Sequence, residues 1–145
     1  MSTRAAIGMK QPDGKIWSIY VHNNGFVAGV GVILAGWYDT RKRVNALLKL
    51  GALSSLGKKL KPNPKKPHSF AQPQPNVTVA YHRDRGETLR PARAYRDMED
   101  YRINGKEDFC ADYVYLYDGG KWFVYGVYGE RGFIEINVTV GKEEK

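Results

Sequence analysis

The chain has 145 residues, 23 Lys and Arg against 15 Asp and Glu, and one cysteine, Cys110. That length sets a single domain that can fold without metal, and the lone cysteine rules out an internal disulfide and suits a reducing compartment. The most apolar run, Phe26 to Tyr38, is too short for the roughly 20 residues that span a bilayer. Met1-Ser2-Thr3-Arg4 lacks the apolar core of a secretory leader, so a soluble, intracellular protein is expected.

Ala5 to Lys10 and Lys15 to Val21 flank Gln11-Pro12-Asp13-Gly14. A Pro-Asp-Gly turn between two apolar runs predicts a β-hairpin. Both faces of the second strand carry apolar groups, as an inner strand requires. After His22-Asn23-Asn24-Gly25, residues Val27, Val30, Ile33, Leu34, Trp37 and Tyr38 follow a helical period. Asp39-Thr40 caps a second helix, Arg41 to Leu50, with Val44, Leu47 and Leu48 inward and Gly51 at its end. Leu53 to Gly57 predicts a tight turn or a single helical turn, and Lys58 to Pro75, with five prolines and five lysines, a long surface loop. Asn76 to His82 alternates as a strand. Pro91 to Arg102 carries the stripe of an amphipathic helix. Asp112 to Tyr117, Lys121 to Tyr128 and Gly132 to Val140 complete the β structure. These elements predict an α+β domain over residues 1–145, a mainly antiparallel sheet with two or three helices packed on one face.

Charge is distributed unevenly along these elements. Between Thr40 and Arg83 there are ten basic residues and no acid; the other 13 basic and 15 acidic residues nearly cancel. A block of one sign sets up a field that draws anions. Arg41, Lys42, Arg43, Lys58, Lys59, Lys61, Lys65 and Lys66 form this candidate basic patch. Three of them occupy the first turn of the second helix, where acids are favoured.

The densest cluster of chemistry is Tyr81-His82-Arg83-Asp84-Arg85-Gly86-Glu87, at the end of a strand. Two guanidiniums and an imidazole there can hold a phosphate, with Asp84 and Glu87 orienting them; the plainer alternative is a salt-bridge network closing the strand. Arg4, His22 and Asn24 are candidate assistants, the last two because a strand-to-helix turn can present NH groups to an anion; a plain Asn-Gly turn is the alternative there. The aromatics Tyr113, Tyr115, Tyr117, Trp122, Phe123 and Tyr125 fit sheet core better than an exposed stacking surface. His22, His68, His82 and Cys110 lack paired ligand spacing, so no metal and no cofactor is expected.

Several motifs together resemble a family of small bacteriophage accessory proteins. They are Ser2-Thr3-Arg4; Tyr20, His22, Gly25 and Phe26; Leu47, Leu50-Gly51 and Leu53 to Gly57; His68-Ser69-Phe70; Tyr81 to Glu87; and Tyr113 through Trp122. The family pattern carries Trp-Asp where this chain has Asn23-Asn24. The resemblance implies a protein made in the cytoplasm of an infected bacterial host and aimed at host takeover or defence.

The resulting expectation is a non-catalytic binder of a nucleotide signal or nucleic acid, contacted by His82, Arg83 and Arg85. A sequestering protein of this kind would gain a deep pocket by forming a homo-oligomer. Two alternatives stand beside it: an enzyme on a nucleotide or nucleic acid with His82 as acid/base, and an inhibitor that docks directly on a host defence protein.

Overall fold

The computed structural model describes residues 2–126 and 132–137. The hairpin forms as the turn chemistry dictates. Strands β1 (Ala5–Lys10) and β2 (Ile16–Val21) pair antiparallel with Ala5 opposite Val21. The turn is closed by Gly14 N–H donating to Gln11 O and by Asp13 accepting from Lys15 N–H. A wide π-type turn, Val27–Gly31, runs into α1 (Val32–Trp37), and α2 (Arg41–Leu48) begins with Thr40 Oγ1 accepting from Arg43 N–H.

Next come β3 (Leu53–Ser55), β4 (Val79–Ala80), α3 (Tyr81–Arg85) and β5 (Arg93–Tyr95). A helical stretch then joins α4 (Met98–Asp100), a second π-type turn (Tyr101–Gly105) and α5 (Lys106–Asp108). Strands β6 (Tyr113–Asp118), β7 (Lys121–Tyr125) and β8 (Ile134–Glu135) follow. The outer parts of the last two expected strands, residues 127–128 and 138–140, lie outside the described residues.

The strands form one mixed, mostly antiparallel sheet in the order β4-β3-β2-β1-β6-β7-β8, with β5 also beside β2. The α+β expectation holds, but helices cover both faces rather than one. Strand alternation explains why. Ala5, Ile7, Met9, Ile19 and Val21 face α1 and α2 in the larger core, with Tyr115, Tyr117, Trp122 and Val124. Ala6, Ile16, Val114 and Leu116 face the other way and are covered by Tyr101 of the 98–108 segment. Gly8 opens that face, because a Cβ there would lie 2.8 Å from the Tyr101 ring.

Tyr101 is fully buried, donates from its hydroxyl to Tyr115 O at 2.7 Å and accepts from Ser18 Oγ at 3.2 Å. Tyr101→Phe would strand both partners in the core. It should lower stability by about 1–2 kcal/mol, read as a shift of the urea midpoint at unchanged slope.

Three local expectations change. Residues 53–55 form a strand rather than a turn, because Leu53 and Ser54 carbonyls accept from His22 and Asn23 N–H at the end of β2. Only Val79–Ala80 of the 76–82 run pairs as a named strand before the chain turns into α3. The helix expected over 91–102 starts later. The outer edge of β2 captures Arg93–Tyr95 as β5, and Asp97 caps the helix by accepting from Asp100 N–H at 2.8 Å.

Candidate functional site

The Tyr81–Glu87 block does not converge on a hollow. Arg83 donates to Asp84 through Nε (2.9 Å) and Nη2 (3.0 Å), to Leu60 O (2.7 Å) and to Thr78 O (2.5 Å). Asp84, its side chain 3% exposed, also accepts from Ala80 N–H at 2.8 Å and lies 3.2 Å from His68 Nε2. His68 Nδ1 accepts from Gln74 N–H, so the ring proton of neutral His68 sits on Nε2 and faces the carboxylate. Burial pushes the Asp84 carboxyl up, but hydrogen bonds from Arg83 and Ala80, the Arg83 charge and the electrostatic pull of the nearby His68 ring outweigh it and hold it below its ordinary value.

Arg85 pairs with Glu87 at 3.1 Å and lies over the Phe70 ring, while exposed His82 bonds Glu87 O through Nδ1 at 2.7 Å. These internal contacts, rather than a shared hollow, surround His82, Arg83 and Arg85, the residues of the expected phosphate seat. Asp84 and Glu87 neutralise the two guanidiniums instead of orienting them toward a ligand. The block fastens the 58–75 loop to the strand end. Asn24 is likewise a turn residue: it takes φ 58°, and its carbonyl accepts from Val30 N–H.

The hollow lies beyond the other end of this segment, where the sheet forks. On its outer edge β2 pairs with β5 through Ile16–Ser18 and with β3 only at Val21, which leaves Ile19 and Tyr20 between them. Arg90 and Pro91 cross the gap, with Ala52 N–H donating to Arg90 O at 3.2 Å. The resulting cleft, about 300 Å³, is lined by Arg4, Tyr20, Arg90, Asp108, Phe109 and Cys110, together with Ile19, Ala52 and Pro91.

Cross-strand register explains its polar wall. With Ala5 opposite Val21, Arg4 and His22 are neighbours at the ends of β1 and β2, and strand alternation puts them on the same face as Tyr20. The Tyr20 hydroxyl and His22 Nδ1 are 2.6 Å apart, and the Tyr20 ring stacks on Phe109 at 6.1 Å. Burial pushes the Tyr20 hydroxyl up in pKa, and Arg4 and Arg90 both pull against that shift. Neither guanidinium has a carboxylate within ion-pair distance among the described residues. The cleft's own acid, Asp108, accepts from the Tyr95 hydroxyl and faces Arg93 Nε at 3.6 Å.

Of the expected assistants, Arg4 lines this cleft and His22 adjoins it through Tyr20. Tyr20, Arg90, Asp108 and Phe109 were not among the candidates. Only Tyr20 had a local signal, two residues before His22 on the same strand face.

The basic patch divides. Arg41 donates to Lys10 O, and Arg43 donates to Lys58 O and covers the Tyr38 ring. Lys58 Nζ rests 4.5 Å from the centre of the Trp37 ring. Arg43, Lys58 and Lys59 border a separate open groove with Trp37, Asp39, Thr40 and Asn76. Lys42, Lys61, Lys65 and Lys66 are exposed. Among the described residues no group of three or more His, Cys, Asp or Glu could hold a metal ion, and no helix is long and apolar enough to cross a membrane.

No protein-family model, curated protein or solved structure matches the chain.

Proposed function

We propose that the protein binds the phosphate group of a small anionic ligand, a nucleotide above all, in the Arg4–Tyr20–Arg90 cleft, and does so without turning it over. The observation that carries this reading is the pair of guanidiniums that share one cleft and lack a carboxylate partner among the described residues. Arginine is the side chain best shaped for bidentate phosphate recognition. Aromatic walls at Tyr20 and Phe109 give a nucleobase or sugar apolar surface. The basic patch supplies the long-range field that raises the local anion concentration. In the setting that the family resemblance implies, a phage accessory protein in the host cytoplasm would use this cleft to sequester a nucleotide defence signal.

His82, the acid/base of the catalytic alternative, bonds a backbone carbonyl and does not line this cleft, which favours binding over turnover.

Calorimetric titration with inorganic pyrophosphate and with nucleoside 5′-phosphates tests the reading. Arg4→Ala and Arg90→Ala should each weaken binding by about tenfold, the scale of one lost charge-assisted hydrogen bond, while Arg85→Ala should leave it near the native value. Equal affinity in the native protein and both cleft variants would reject the cleft as the site.

A further inference from the structure

The Tyr81–Glu87 block reaches the cleft through its aromatic neighbours. Arg90 is exposed, and among the described residues no carboxylate anchors it. A free arginine side chain samples many rotamers, and fixing it for a ligand costs conformational entropy. What lies against Arg90 is the Tyr81 ring, 5.4 Å from its guanidinium carbon. Tyr81 in turn meets Phe70 at 5.6 Å between ring centres, and Arg85 lies 4.6 Å from the centre of the Phe70 ring. Phe70 is held by its own N–H, which donates to Asp84 O at 3.0 Å. Asp84 therefore fixes the loop twice, through its carboxylate to His68 and through its carbonyl to Phe70.

Resting on the proposed binding reading, we infer that Phe70, which does not line the cleft, is a positioning residue that holds Arg90 in its phosphate-receiving pose by way of Tyr81. A cation on a ring keeps its in-plane N–H donors free, whereas a cation on a carboxylate gives them up. Tyr81 can thus steady Arg90 without competing with the ligand. The 58–75 loop, tied down by the His68–Asp84–Arg83 contacts, supplies the second ring that keeps Tyr81 in place.

The test compares Phe70→Leu with Phe70→Tyr by NMR of the Arg90 Nε–H resonance, a reporter that needs no ligand. In the native protein the ring current of Tyr81 should displace this resonance from the position of free arginine. Phe70→Leu should move it toward the free position, and Phe70→Tyr should restore it. Tyr81→Leu should abolish the displacement. Pyrophosphate affinity should fall about fivefold in Phe70→Leu and recover in Phe70→Tyr.

An Arg90 resonance unmoved by Phe70→Leu, or moved equally by both Phe70 variants, overturns the positioning role. If Phe70→Leu perturbs the whole amide spectrum, an Arg90 resonance that Tyr81→Leu leaves in place overturns it instead. Failure of the native protein to bind phosphate, with the Arg90 shifts as expected, would reject the binding reading and with it the phosphate-receiving role, leaving only the ordering of Arg90 by Tyr81 and Phe70.

Discussion

Asp84→Ala should lower the folding stability of this protein by about 3 kcal/mol, the largest loss expected from a single polar side chain here. The carboxylate is nearly inaccessible, accepts from Arg83 and from the Ala80 N–H, and lies 3.2 Å from His68 Nε2. Its removal leaves a backbone donor without its partner and a cation beside no anion, and uncompensated groups of this kind dominate the cost of breaking a buried pair. Arg83 is one quarter exposed, so water screens part of the loss and places it at the low end of the usual range.

The depressed pKa of Asp84 fixes the sign of a pH effect. A carboxyl that ionises more readily when folded adds stability above its unfolded value of about 4, and that gain disappears as pH falls through the folded value. The native protein should therefore lose stability between about pH 5 and pH 2 more steeply than Asp84→Asn. Urea midpoints measured across that range give the comparison, and parallel acid limbs would mean that the network contributes little.

That network also shows why the sequence alone does not separate a ligand seat from a structural tie at the strand end. Adjacent His, Arg, Asp and Arg are compatible with a ligand seat or with mutual neutralisation, and local spacing does not separate them. The discriminating fact is a partner brought from elsewhere: His68 and the Leu60 carbonyl arrive on the 58–75 loop. Asp84 is the first acid after the long basic segment, and this position lets it serve as the segment's internal counter-charge.

Where a local rule determined the outcome, the sequence was readable. Pro12-Asp13-Gly14 set the first hairpin, Thr40 capped α2 with Val44, Leu47 and Leu48 inward, and alternation at Tyr115, Tyr117, Trp122 and Val124 placed them in the core. Strand β5 was not readable, because the free edge of β2 selects Arg93–Tyr95 over the helical pattern of its side chains. The cleft was hidden for the same reason. Its walls come from residues 4, 20, 90 and 108–110, and only the fork in the sheet assembles them.

Gly51 is the backbone point on which that fork depends, and Gly51→Ala should reduce stability and binding together. Gly51, three residues past the end of α2, has φ +73°, and a Cβ on it would lie 2.4 Å from Arg90 O and 2.8 Å from Leu89 Cδ1. Two costs combine. Left-handed backbone disfavours any side chain by about 1 kcal/mol, and the Arg90 carbonyl must move away from the Ala52 N–H that it accepts from. A total of about 2–3 kcal/mol follows.

Gly86 provides the control, since it shares φ +73° but has nothing within 4 Å of the same added carbon. Gly86→Ala should show the conformational penalty alone, near 1 kcal/mol, with pyrophosphate affinity unchanged. Gly51→Ala should be the less stable of the two and should bind pyrophosphate several-fold more weakly, because the displaced carbonyl belongs to the residue whose guanidinium lines the cleft. Matching urea midpoints and matching affinities for the two variants would show that the Ala52–Arg90 contact neither supports the fork nor sets the cleft.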